Sequence, residues 1–564
     1  MLRPAQLLRQ ERLASYLTEH PVRLTVAICT AWILIGLVGH DPWKPDETHT
    51  FGVTYRMLLT GEWIVPMLAG EPFLQKPPLV YYTGALFGWL LSPLLPLHDA
   101  ARIAAGAWIG IALLFTGFAA RELFGGNRGW VAVLMLIGSG GLLVRGHLLI
   151  SDVIVVAAFS IALYGLALAP RLPRPGGIWM GVGFGFAIFA SGLFEPLMLL
   201  TTAIAIAIVS PMYRTRSYVR SVLIALLIAT PIAIAWPVAL YLRSPELFEH
   251  WLWAENVVRI RGMIQPEGAQ RYFYYLRVLP WFAWPVWLFA LWSVWIQGRE
   301  GLRRREIQLP FVAFIVFFTY LTIAGEGREV LGLPLLLPLT ILASLSFARL
   351  PRGGLNAYYW FCIMVVTVFL LVVWVYWSAI DLGVPRRLAE HMQELQPEYF
   401  ASTHPMTIVL ALLLTVAWFL IVFNIKRTPE RAVILWGAGV TTAWALVVLL
   451  LFGWIDTGKS YRSMVNELKA ELPAGHGCIY SQGLGETQRA MLDYHGQLVT
   501  VRLETPGERP RCELLITQDS WNIAGAMGTP WSLLWEGGRP GDRHERYRLY
   551  ERIETGNSKP VGES

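Results

Sequence analysis

The chain has 564 residues, a mean hydropathy of +0.48, 55% apolar residues, only 15% charged residues and a formal net charge of +7. A soluble chain carries about a quarter charged residues, so this composition excludes an ordinary soluble globular protein. The basic excess does not point to nucleic acid, because basic residues of membrane proteins gather in cytoplasmic loops and at lipid headgroups.

The first twenty-odd residues are polar and contain arginines, with no short apolar core before a small-residue cleavage site. The first apolar run is therefore expected to be a retained span. Runs approaching the roughly 20 residues that cross a bilayer fall near 22–40, 101–119, 129–148, 153–170, 177–194, 196–211, 221–241, 275–296, 308–324, 331–348, 357–379, 405–424 and 432–454. A further apolar stretch, 78–97, is interrupted by Pro77-Pro78, Ser92-Pro93 and Pro96, which suits a short interfacial or re-entrant helix better than a span.

Loop charge decides between the two topologies. With Arg3, Arg9, Arg12 and Arg23 inside and thirteen spans, the internal loops carry Arg121/Arg128, Arg171/Arg174, Arg214/Arg216/Arg220, Arg299/Arg303/Arg304/Arg305, Arg349/Arg352 and Lys426/Arg427/Arg431. All six are basic, as the positive-inside rule requires; counting 78–97 as a span would turn all six outward. The loops 41–100, 149–152, 242–274, 325–330 and 380–404 are then external.

Beyond about 455 the composition changes. Cys478-Ile479-Tyr480, Leu498–Val501, Leu514–Ile516 and Tyr547–Tyr550 read as strands, and 460–471 and 486–494 as helices. The expected architecture is an all-α polytopic membrane protein of about thirteen transmembrane helices (1–454), with outer-face interfacial helices in 41–100 and a small α/β soluble domain over 455–564. Cys478 and Cys512 each open a strand; in an oxidising compartment they could pair, or remain two buried thiols. No cysteine set forms a zinc or redox motif, and no internal repeat is visible.

The first external loop holds the residues of chemical interest. Asp46-Glu47 places two carboxylates just beyond a span, where burial is costly and a reason is needed. Helix capping is one reason: Asp46 at the start of a helix over 47–60, Glu47 at its positive end, Gly61 at its stop. Catalysis is another, and the two are compatible. A metal site of Asp46, Glu47 and His49 is disfavoured, because three ligands within four helical residues cannot converge on one ion. Lys76, held before Pro77-Pro78, is placed for a phosphate headgroup or for snorkelling. Asp152 sits between two apolar spans and is either a cap or a functional carboxylate.

Taken in order, Asp46-Glu47, Gly61-Glu62-Trp63, Pro66, Gly70, Lys76-Pro77-Pro78-Leu79 and Tyr81-Tyr82 resemble the first external loop of GT-C glycosyltransferases related to protein O-mannosyltransferases, and most of all the bacterial aminoarabinose lipid A transferases. Ala101-Arg102, Arg121–Gly125, Asp152, Trp253–Asn256 with Arg259, Tyr274–Leu276, Leu279–Trp281, and Arg328 before Leu333–Pro338 extend the likeness over about 350 residues. Two positions depart from it: Gln75 stands where many relatives carry an acidic residue, and Phe189–Leu193, with Ser191, lacks the relatives' lysine.

The resemblance implies an inverting glycosyltransferase on the periplasmic face of the bacterial inner membrane. It would take a sugar from a polyprenyl-phosphate donor and pass it to a lipid A-like or other periplasmic acceptor. Asp46 would act as general base, with Asp152 and Glu47 in support. Lys76, Arg259 and Arg328 would meet the lipid phosphate. No cofactor, metal or nucleic acid is called for, and a monomer is expected. The rival readings are a transporter or flippase of lipid-linked or anionic solutes, against which the lack of repeats argues, and an oligosaccharide-transferring relative.

Overall fold

The computed structural model describes residues 20–126, 128–258, 260, 273–324, 327–347, 349–401, 404–425, 428–505, 510–518, 531–542 and 545–553. Of the residues singled out above, Arg3, Arg9, Arg12, Arg259, Lys426 and Arg427 lie outside these.

Each predicted apolar run falls on a helix or a pair of helices. Eight helices are long and apolar enough to cross a bilayer: Leu97–Phe124, Ser151–Leu168, Arg216–Arg243, Arg305–Ala324, Glu329–Ser346, Arg352–Leu382, Pro405–Asn424 and Arg431–Lys459. Two bent pairs raise the number to ten: Arg128–Ile137 with Gly140–His147, turned by 70°, and Tyr274–Phe282 with Val286–Gly301, turned by 98°. The remaining runs form Pro173–Ser191 and the shorter Pro21–Leu34 and Phe194–Val209. The chain is thus a multi-pass membrane protein. The stretch 78–97 forms the helix Leu79–Leu91 of 13 residues, which at 1.5 Å per residue extends ~20 Å, short of the ~30 Å apolar layer of a bilayer.

The helix Ser151–Leu168 is apolar on every side and buried at every position but Tyr164, as expected of a helix at the centre of a bundle. It lies between Leu97–Phe124 and Pro173–Ser191, and close approach is allowed by small residues. A Cβ added at Gly165, Gly176 or Gly183 would fall within 2.3–2.6 Å of backbone on the facing helix.

The two bent pairs meet where glycines permit. An added Cβ on Gly140 would lie 2.9 Å from the Trp281 carbonyl oxygen, and one on Gly141 would lie 2.4 Å from the Phe282 ring. Trp436 Nε1 donates to the carbonyl of Gly138 at 2.9 Å, satisfying a group that the break leaves free.

The C-terminal segment forms a five-stranded sheet in the spatial order Thr500–Arg502, Ile479–Gln482, Leu514–Gln518, Arg546–Arg552, Trp531–Gly538. The first three strands are parallel and the last two antiparallel. Helices Arg462–Ala470 and Glu486–Gly496 match the predicted ones, whereas Trp531–Gly538 was not anticipated. The span before it runs to Lys459, five residues past the expected 454. Cys478 and Cys512 are joined by a disulfide, while Cys29 and Cys362 are buried free thiols.

This segment docks on the first loop through charge and shape. Arg56 pairs with Asp493, Arg489 with Glu71 at 2.9 Å, and Lys44 with Glu545 and Asp542. Gly52 faces Ala490, and an added Cβ there would lie 2.8 Å from the alanine methyl. Asp41 is almost fully buried, which raises its pKa, but hydrogen bonds from Arg462 and Ser460 more than offset this and hold it at about 2.

Candidate active site

Asp46 begins the helix Asp46–Thr60, whose N-cap position is Pro45 and has no side-chain cap. The capping reading of Asp46 is thereby corrected: its Oδ1 accepts instead from Arg328 Nη2 at 2.5 Å. Both side chains are partly open, 34% and 42% exposed. Gly61 does end the helix, in the left-handed conformation expected of a glycine stop.

Glu47 points the other way, about 100° around the helix. It is buried, and accepts from Arg102 Nε at 2.6 Å, from the Trp43 amide at 3.0 Å and from the Leu149 amide at 3.1 Å. Burial pushes its pKa up, but the charge of Arg102 and these hydrogen bonds prevail and hold it below the ordinary value. Arg102 also donates to Asp99 and to the carbonyls of Leu37 and His40. Removing two charges from water costs several kcal/mol each unless every donor is used; here each guanidinium nitrogen is. Glu47 therefore fastens the first loop to the bundle and sets where Asp46 stands.

Asp152 lies in the first turn of Ser151–Leu168, whose N-cap is Ile150 with no side-chain bond, so neither Asp152 nor Ser151 caps it. It is 9% exposed and has no hydrogen bond or ion pair among the described residues. Lys76, Glu195, Asp46 and Arg328 all act on it electrostatically. The sequence candidates Asp46, Asp152, Lys76 and Arg328 are thus brought together from four separate segments; Glu47 is beside them but turned away, and Arg259 lies outside the described residues.

Two acidic residues were missed. Lys76 Nζ donates to Glu195 Oε1 at 3.2 Å, and both are largely buried. The signal in the sequence was a lone carboxylate at the start of an apolar run. At the two positions that depart from the resembling family, Gln75 reaches Glu486 at 3.4 Å, and Ser191 Oγ donates to the Ala187 carbonyl at 2.8 Å. Gly192 adopts φ +84°, and a Cβ there would meet Asn256 Oδ1 at 2.5 Å; that oxygen accepts from the Leu193 amide at 2.9 Å. Asn256 belongs to a π-helical turn, Trp251–Val258, a form enriched at functional sites.

Glu486 comes from the C-terminal segment. With Gln75, His250 and Glu255 it lines a cavity of about 360 Å³ bordered by Phe73 and Leu247. Its neighbour Thr487 bonds His49 Nε2 at 2.9 Å. Burial lowers the His49 pKa, against the opposing charges of Glu486 and Asp46. Among the described residues no three His, Cys, Asp or Glu side chains are grouped to hold a metal ion.

No family model matches the chain. Solved structures decide the architecture: ArnT from Cupriavidus metallidurans bound to undecaprenyl phosphate superposes with a TM-score of 0.69 over 95% of this chain and 98% of that one, at 17% identity. This chain has the ArnT fold. Among curated proteins, undecaprenyl phosphate-alpha-4-amino-4-deoxy-L-arabinose arabinosyl transferase 1 of Pseudomonas fluorescens Pf0-1 is 25% identical over 327 residues, 55% of this chain and 54% of that protein. Transferase 2 of P. fluorescens Pf-5 is 24% identical over 433 residues, 74% of this chain and 69% of that protein. The matched stretch thus spans about half the length of the first relative. The resemblance read from the first-loop motifs is borne out by these relatives, and the ArnT fold accounts for both the helical bundle and the C-terminal sheet.

Proposed function

We propose that this protein is an inverting glycosyltransferase that moves a sugar from an undecaprenyl-phosphate-linked donor to a lipid A-like or other periplasmic acceptor. The relatives named as arabinosyl transferases and the fold shared with an undecaprenyl phosphate-bound protein support the reaction class. The observation that carries the reading is the gathering of Asp46, Asp152, Lys76 and Arg328 at one end of the bundle.

In the proposed reaction the acceptor oxygen forms a bond to the sugar C1 as the C1–O bond to the phosphate breaks. The electron pair leaves with the phosphate oxygen, and the acceptor proton passes to Asp46. The phosphate is a weak base and needs charge stabilisation rather than a proton. Arg328, already at Asp46, and Lys76 would supply it, with Arg259 as a third cation. Asp152 would orient a sugar or acceptor hydroxyl. Glu47 acts through Arg102 as a positioning residue.

The prenyl chain would enter an apolar cavity of about 390 Å³ between the bent pairs, lined by Trp281, Trp284, Trp436 and Trp444. Its rim residues Leu143 and Val144 precede Arg145, which pairs with Glu329 beside Arg328. We further propose that 1–454 is the catalytic membrane unit, that 455–564 is a periplasmic domain completing the site through Glu486, and that the protein acts as a monomer. The test is transfer of radiolabel from undecaprenyl-phosphate aminoarabinose to lipid A in membranes. Binding of the donor without turnover of any glycan acceptor would favour a transporter instead.

A further inference from the structure

The bundle holds a second pair of adjoining cavities, at the far end from Asp46. They lie by Arg121, 19 residues beyond Arg102 on one continuous helix, hence ~28 Å away along its axis. One cavity, of about 640 Å³, is an apolar groove between Pro21–Leu34, Leu97–Phe124 and Arg128–Ile137. It runs from Gly110 to Arg121, ~16 Å by helical rise, which is half of a ~30 Å bilayer core and so the depth of one leaflet. The other cavity, of about 420 Å³, is polar and is lined by Arg128, Thr428 and Glu430.

Three features mark their junction. Trp130 lines both cavities, is 93% buried, and its Nε1 has no acceptor among the described residues; a buried donor left unpaired is costly. Arg121 borders the groove and Arg128 the polar cavity, and neither guanidinium has a carboxylate partner among the described residues. Glu430 lines the polar cavity together with Arg128 and has no ion pair among the described residues.

We propose that this is a binding site for a phospholipid with an ethanolamine headgroup, in the leaflet opposite the catalytic cluster. The phosphate lies against Arg121, Arg128 and the Trp130 N–H, the ammonium meets Glu430, and an acyl chain fills the groove. A headgroup carrying both charges matches a cavity carrying both, whereas a purely anionic headgroup leaves Glu430 facing negative charge. The segment 1–19 carries three arginines against two glutamates, the wrong sign to answer two arginines that have no carboxylate partner among the described residues.

The experiment is native mass spectrometry of the full-length protein in mild detergent, delipidated and then titrated with dioleoyl phosphatidylethanolamine or dioleoyl phosphatidylglycerol. The wild type should retain one phosphatidylethanolamine, about 10-fold tighter than phosphatidylglycerol, the scale of one charge-assisted hydrogen bond. R121Q/R128Q should lose that retention by about 10-fold or more, and E430Q should erase the headgroup preference while keeping the protein folded. The proposal is overturned by wild-type protein that retains no lipid, by equal binding of the two lipids, by full retention in R121Q/R128Q, or by binding that appears only after deletion of residues 1–19. The last result would assign the groove to that segment.

Discussion

Asp46 and Arg328 stand 282 positions apart in the chain and meet at 2.5 Å. The contact joins the first residue of the first-loop helix to the residue before the 3-10 turn Glu329–Leu335. In the proposed reaction it sets the base beside a cation for the leaving phosphate, and both side chains remain partly open.

Asp46→Asn separates base from scaffold. Asp46 caps nothing, and a partly exposed ion pair contributes only ~0–1 kcal/mol. The variant should unfold within a few degrees of the wild type while transfer falls by about 100-fold or more, the scale of a lost general base. Initial rates in membranes matched for expression are the measurement. Near-full transfer would move the base to Asp152.

Glu47→Gln should behave in the opposite way. It leaves Arg102 charged and buried with Asp99 as its remaining carboxylate partner among the described residues, a loss of up to about 3–5 kcal/mol. Thermal unfolding in detergent should shift downward sharply, and yield with it. A normal melting curve with inactive protein would instead make Glu47 part of the chemistry.

Lys76 and Glu195 can be tested as a pair. Lys76→Gln should raise the apparent KM for the lipid donor and also destabilise the protein, by removing a cation from the buried Glu195. The double variant K76Q/E195Q should recover stability but not donor affinity. Recovery of both would show that Lys76 serves structure alone.

The disulfide closes a separation of 34 residues, for which loop-closure entropy gives about 4 kcal/mol. C478S/C512S should therefore render the C-terminal segment sensitive to protease at lower temperature, while the span helices stay protected. Because Glu486 belongs to that segment, transfer should fall in parallel. Unchanged proteolysis would place its stability in the contacts with the first loop.

Topology yields to reporter fusions. Fusions at residues 125, 300 and 430 should read cytoplasmic, and one at 550 periplasmic, from the basic bias of the six loops. Inverted readings at the first three would remove the site from the periplasmic side.

Composition and periodicity alone determined that this chain is a membrane protein, where its apolar helices lie and that its tail is an α/β unit, because these properties are local: burial in lipid demands apolar runs, and strands and helices demand their own spacing. The strand Trp531–Gly538 escaped because its half-buried, glycine-ended run gives no such period. The first-loop motif likewise marked Asp46 and Lys76, and the wider family resemblance marked Asp152 and Arg328. What only the tertiary structure decided is which of two adjacent carboxylates stays partly open beside Arg328 and which is buried on Arg102, since helical geometry separates Asp46 from Glu47 without saying which side Arg102 will occupy. The same holds for Glu195 answering Lys76 and Glu486 answering Gln75, 119 and 411 positions away. A charge is costly to bury unless its partner arrives with it, and the partner is chosen by packing across the bundle, which no local pattern in the sequence encodes.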